Sequence, residues 1–208
     1  MPKTVDPLRL AKILWPNTYF YRQQREIIYS VWENDETVVP AGNKLGKDYV
    51  SGRIVVLFFL TRRPCRIITT SAKDDHLRVL WGEIGQAIAD SAIGLRWPAG
   101  PLIVTHHEIK RTYKGKICPL SYVRGMVAKA DSIAGMQGHH IASPDGSPRT
   151  LFIADECSSV PDEYFSMCRT WAQRILLIGN PWPCNNYFYR AVEGDVATND
   201  PGGDIVAA

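Results

Sequence analysis

Apolar residues in this chain gather into short unbroken runs separated by stretches of helical periodicity. Thr37-Val38-Val39, Ile67-Ile68, Leu151-Phe152-Ile153-Ala154 and Ile175-Leu176-Leu177-Ile178 are the runs. Continuous apolar character predicts strands buried on both faces, as in a parallel sheet. Strands are therefore expected at 36–40, 65–71, 151–154 and 174–178. Helical spacing groups Ile27, Ile28 and Val31, and separately Val79, Leu80, Ile84 and Ile88. Helices are expected over about 19–32, 47–60 and 72–88, from Pro161 at a first helical position to about 173, and over 186–191. Ser71 is read as the N-cap of the third of these, or else, as the end of Thr69-Thr70-Ser71, as a contact to a nucleic-acid backbone. Residues 102–112 and 116–123, around Tyr113-Lys114-Gly115, read as a hairpin. The last dozen residues carry no periodic pattern, and no internal repeat is present. Strands alternating with helices predict an α/β fold, a three-layer sandwich around a mostly parallel sheet.

Composition narrows the class without selecting a function. The 208 residues suffice for one sizeable domain with a real core. A net charge of +3 permits a polyanionic partner but does not demand one. The best apolar run, 54–60, is far too short to cross a bilayer. Lys3, Asp6 and Arg9 leave no room for the apolar centre of a secretory signal. Five scattered cysteines without a Cys-x-x-Cys pair argue for a reducing compartment. The adjacent pairs His106-His107 and His139-His140 are expected to point apart. With no ligand partners at zinc-site spacing, they are read as non-metal.

The chemistry concentrates in two places. The run 151–154 leads straight into Asp155-Glu156. Two carboxylates at the carboxyl end of a buried strand are costly unless they act on a cation or a substrate. In a phosphate-handling ATPase the first holds Mg2+ and the second polarises the attacking water. An ordinary solvated acidic turn is the alternative.

The second place is Ala41-Gly42-Asn43-Lys44-Leu45-Gly46-Lys47-Asp48, between a strand and a helix. That is the context of a phosphate loop. Glycines let backbone N–H groups turn toward phosphates, the helix N-terminus adds partial positive charge, and Lys47 would reach the β- and γ-phosphates. The match departs twice from the common pattern: Ala41 stands where the first glycine is expected, and Asp48 replaces the Ser or Thr that ligates Mg2+. Asp48 is read as a metal ligand, as a feature that weakens nucleotide binding, or as a favourable first-turn residue. Upstream, Tyr19-Phe20-Tyr21-Arg22-Gln23-Gln24 offers aromatic faces and amides. Gln23 and Gln24 are candidates to read an adenine edge, or simply polar residues at a helix start.

Weaker signals surround these. Gly179-Asn180-Pro181 ends the last strand and is either a sensor of the γ-phosphate or a turn. The hairpin carries Lys110, Arg111, Lys114, Lys116 and Arg124. It either tracks a phosphate backbone or is a charged sheet edge.

Taken in order, these stretches resemble the ATPase domain of the large terminase subunit, the motor that packs DNA into tailed-phage capsids. The most specific piece runs from Gly138-His139 through Asp155-Glu156-Cys157-Ser158-Ser159-Val160-Pro161-Asp162-Glu163 to Leu177-Ile178-Gly179-Asn180-Pro181 and Phe188-Tyr189. Terminases usually have Ala where this chain has Cys157. The resemblance covers about residues 17–195. It implies a P-loop NTPase fold of the ASCE type, with ATP and Mg2+ as cofactors. Lys47 then contacts phosphate with its loop, Asp155 coordinates the metal, Glu156 activates water, and Gly179-Asn180-Pro181 couples hydrolysis to DNA movement. It further implies double-stranded DNA as a partner, a homo-oligomeric ring on a portal protein, a small terminase subunit, and the host cytoplasm as location. A trans-acting arginine is expected, with Arg124, Arg149, Arg62 and Arg63 as candidates. The whole chain is read as one ATPase domain, with 1–35 a lead-in, excised from a parent whose nuclease domain is absent here. The rival readings are a helicase-like DNA-dependent ATPase and a degenerate P-loop domain that binds without hydrolysing.

Overall fold

The computed structural model describes residues 5–42, 45–97, 100–182, 185–194 and 203–205. In chain order the elements are α1 (Pro7–Leu14), α2 (Arg22–Glu33), β1 (Glu36–Pro40), α3 (Lys47–Thr61), β2 (Arg66–Ser71) and α4 (Asp74–Ala89). Then follow β3 (Leu102–Thr105), β4 (Glu108–Tyr113), β5 (Lys116–Val127), β6 (Thr150–Asp155), α5 (Asp162–Cys168), β7 (Arg174–Gly179), α6 (Tyr187–Glu193) and β8 (Gly203–Ile205). They build one sheet in the order β3-β4-β5-β2-β6-β7-β1-β8. Pairing is parallel from β5 to β8 and antiparallel from β3 to β5. β7 separates the loop strand β1 from the acidic strand β6.

Every residue of β6 is buried, which explains its unbroken apolar run. Alternate strand residues feed two cores. Val39, Ile67, Leu151, Ile153, Leu176 and Ile178 pack under α1–α4. Val38, Ile68, Phe152, Ala154, Ile175 and Leu177 pack against α5 and α6. The sheet is thus the middle of three layers. α3 is apolar nearly all round because α4 covers the side that the sheet does not; Val50, Ile54, Leu57 and Phe58 are fully buried. Truncating any of these large side chains to Ala would cost roughly 2–5 kcal/mol.

The structure departs from the sequence reading at several points. The stretch 102–112 is two strands, broken by a turn at His106-His107 where His107 takes φ 51°. In that turn the two rings stack at 3.9 Å instead of pointing apart. β5 extends to Val127 and joins the parallel core beside β2. The N-cap of α4 is Lys73, so Ser71 is the last residue of β2 and not a cap. Pro161 is itself the N-cap of α5, which ends at Cys168, and 203–205 forms an edge strand on β1.

Candidate active site

The loop begins where β1 stops. Ala41 N donates to Gly179 O at 2.9 Å, tying the start of the loop to the end of β7. The chain re-enters regular structure through Gly46, the N-cap of α3, at φ 71° and ψ 28°. Glycine occupies that left-handed region without steric cost. A Cβ there would also stand 2.9 Å from Gln24 Nε2, so the loop is seated directly on α2. Gly42 is half-buried and Leu45 exposed; Asn43 and Lys44 lie outside the described residues.

β6 delivers the carboxylates. Asp155 is its last residue and is buried. Glu156 follows at φ 51° and ψ 48°, a backbone conformation that costs about 1–3 kcal/mol and concentrates at functional sites. Lys47 Nζ donates to Glu156 Oε1 and lies 3.4 Å from Asp155 Oδ1. Lys47 and the two carboxylates, the farther of them 109 residues away in sequence, therefore meet.

Burial works against the Lys47 ammonium, but Asp155, Glu156 and Asp48 outweigh it and its pKa is raised. Burial pushes the Asp155 carboxyl up to about 7, with Lys47 opposing and Asp48 and Glu156 reinforcing. Asp48 is raised too, chiefly by burial, and its side chain hydrogen-bonds Asp155. Burial and the neighbouring negative charge thus push both carboxyls above the ordinary range. Among the described residues no three His, Cys, Asp or Glu side chains form a metal cage. Asp48 and Asp155 are instead a pair of hard oxygen donors. Mg2+ takes such a pair together with water and substrate phosphate oxygens.

A cleft of about 610 Å³ opens beside the loop, walled by Tyr19, Tyr21, Gln23, Gln24, Leu45 and Tyr49 among others. Tyr19 and Tyr21 are exposed and meet edge to face at 5.7 Å. Gln24 is buried; its Oε1 accepts from Tyr21 N at 3.2 Å and closes the start of α2. Gln23 is exposed at the cleft wall. Tyr49 is a wall residue that sequence reasoning missed, because an aromatic on an apolar helix looks like core. One face of its ring is taken by the buried Arg53 guanidinium at 3.2 Å.

Gly179 packs against the residue after Glu156: a Cβ at Gly179 would lie 2.8 Å from Cys157 N. Asn180 is half-buried and Pro181 exposed at the same strand end. Of the arginine candidates, Arg124 pairs with Glu108 at 2.8 Å. Arg149 pairs with Asp145 at 3.0 Å. Arg62 lies over the Phe58 ring at 3.8 Å. Arg62, Arg63 and Arg149 stand at the amino ends of β2 and β6, away from Lys47.

Fold and site together define a mixed α/β domain whose mostly parallel sheet brings a lysine-bearing loop and two carboxylates together at one edge. Within that class, the solved structures it resembles are phage DNA-packaging ATPases. The large terminase ATPase domain of Thermus phage P74-26, in a mutant form, matches 96% of this chain and 84% of its own, with TM-score 0.69 at 15% identity. The N-terminal domain of the DNA packaging ATPase from bacteriophage phi29 matches 92% of this chain and 97% of its own, with TM-score 0.55 at 13% identity. The large terminase of thermophilic bacteriophage D6E, in complex with ADP, matches 91% of this chain with TM-score 0.60 at 15% identity. This chain spans 45% of that terminase. No protein-family model matches the sequence, and no curated protein does.

Proposed function

We propose that this chain is the ATPase domain of a phage DNA-packaging motor, hydrolysing ATP to drive double-stranded DNA into a capsid. The observation that carries the reading is the meeting of Lys47, Asp155 and Glu156 beside an aromatic cleft. The cleft suits a purine: Tyr19 or Tyr21 offers a stacking face and Gln23 an amide for the base edge. The polyphosphate then lies on the loop at the positive end of α3. Lys47, held on Glu156 in this state, exchanges that partner for the β- and γ-phosphates. Glu156 is thereby released to orient and polarise the attacking water, as the catalytic Glu of the ASCE branch does. The position of β7 between β1 and β6 supports that branch.

Asp155 and Asp48 would hold Mg2+, which neutralises charge developing on the phosphate oxygens. Gly179, bonded to the start of the loop and packed against Cys157 just past β6, would relay the state of the γ-phosphate through Asn180 and Pro181. Double-stranded DNA, a ring of copies on a portal, a small terminase subunit and the host cytoplasm belong to the same proposal. So does an arginine supplied in trans.

Titration with a fluorescent ATP analogue and Mg2+ tests the reading. Saturable binding displaced by ATP and ADP is expected, weakened about 10-fold or more by Lys47→Ala, the scale of a lost charge-assisted hydrogen bond. Absence of saturable binding, or indifference to Lys47→Ala, contradicts it.

A further inference from the structure

Three hydroxyls end β2, and two of them are satisfied. Thr69 Oγ1 accepts from Trp81 Nε1 at 3.0 Å, and Thr70 Oγ1 donates to Met126 O at 2.7 Å. Ser71 is fully buried, and its Oγ has no hydrogen-bond partner among the described residues. An unpaired buried hydroxyl lowers stability, so its place in the fold calls for a reason.

That place is beside Asp155. Ser71 and Asp155 are register partners on adjacent parallel strands, so their side chains project to the same face. The face is that of α3 and α4. Thr69, two residues earlier, meets Trp81 of α4, and Asp155 meets Lys47 and Asp48 at the start of α3. Neighbouring strands run about 4.8 Å apart, within the reach of a rotating hydroxyl toward its partner's carboxylate. The loop itself carries Asp48 where a phosphate loop ordinarily provides a hydroxyl.

We propose that Ser71 is a positioning residue of the hydrolysis site: when a cation is bound, its hydroxyl, unpartnered in the metal-free chain, rotates to donate to the Asp155 carboxylate and fixes it toward the cation. β2 thereby returns to the site a hydroxyl that the loop lacks, acting through Asp155 and not on the phosphates. The inference rests on the ATPase reading above. A hydrogen bond behind a metal-ligating carboxylate sets its orientation, and its loss typically costs about 10–100-fold in metal affinity.

Mn2+ binding to the complex of the chain with a non-hydrolysable ATP analogue, followed by electron paramagnetic resonance, tests it. Ser71→Ala is expected to weaken Mn2+ by about 10–100-fold, and Ser71→Thr to restore it. Nucleotide affinity without metal should not change. The metal-free melting temperature of Ser71→Ala should equal or exceed that of the parent, because the hydroxyl it removes lacks a partner. Unchanged Mn2+ affinity in Ser71→Ala, while Asp155→Asn loses it, overturns the proposal alone. A fall in metal-free melting temperature overturns it in favour of a structural role. A parent chain that takes up no Mn2+ with nucleotide overturns both this and the ATPase reading.

Discussion

Ala41 and Gly179 are joined by a backbone hydrogen bond of 2.9 Å, the last rung between the loop strand and its neighbour. Gly179 also lies against Cys157, one residue beyond Glu156. A single buried glycine therefore touches both halves of the site. In the proposed ATPase, this contact is the route by which a shift of the loop would reach the glutamate turn.

Gly179→Ala places a Cβ 2.8 Å from a backbone nitrogen, which must move to admit it. Overpacking of this kind costs roughly 1–3 kcal/mol. The expected outcome is a lower melting temperature and a fall in kcat that exceeds any change in nucleotide affinity. Wild-type kcat with reduced affinity would instead place Gly179 in binding alone.

Gly46→Ala forces a side chain into φ 71° and against Gln24 Nε2. The left-handed backbone alone costs about 1–2 kcal/mol. Nucleotide affinity should drop because the loop can no longer sit on α2. Measured side by side with Gln24→Ala, the double variant should lose less than the sum of the two, since removing the Gln24 amide relieves the clash that the new Cβ creates.

Metal binding should depend on pH through Asp155. Its folded-state pKa, about 7, lies above the ordinary value of 3.8 because of burial and the neighbouring carboxyls. The folded metal-free chain therefore binds more protons than the unfolded chain between those values. That stability contribution is complete below 3.8 and is lost as pH rises through about 7. A cation needs the ionised form, so its affinity should climb over the same interval with release of a proton. Asp48→Asn removes one of the charges that raise Asp155, and the midpoint of the metal–pH curve should move to lower pH. Calorimetry of Mg2+ binding in two buffers of different ionisation enthalpy reads both effects.

His139 carries a pH dependence of the opposite sense. Its Nδ1 shares a hydrogen with Tyr122 OH at 2.7 Å, its Nε2 meets Gly135 O at 3.0 Å, and burial depresses its pKa. The stability it contributes is full above the unfolded value of 6.5 and is lost as pH falls through the lower folded one. In His139→Gln the melting temperature should vary less with pH below 6.5 than in the parent.

The central strands were legible because burial on both faces favours unbroken apolar runs, which fill most of β6 and β7 and appear as Val38-Val39 in β1 and Ile67-Ile68 in β2 beside buried hydroxyls. The parallel half of β5 was not. Tyr122-Val123-Arg124-Gly125 mixes types because Arg124 stays exposed and pairs with Glu108 across the sheet. The His106-His107 turn lacks the Gly, Pro or Asn that announces most turns, and β8 is three residues long, too short for any period to appear. The chemistry divides the same way. Lys47 and Asp155-Glu156 stand in contiguous motifs and were readable singly. The contacts that unite them, Lys47 with Glu156 and Ser71 beside Asp155, join residues far apart in sequence and exist only once the sheet order is set.

Steady-state ATP hydrolysis with Mg2+, for the parent chain beside Glu156→Gln, tests the hydrolytic reading most directly. Turnover by the parent is expected, with kcat reduced about 100-fold or more in Glu156→Gln, the scale of losing a positioned general base, and with nucleotide affinity retained. A Glu156→Gln variant as active as the parent would contradict it.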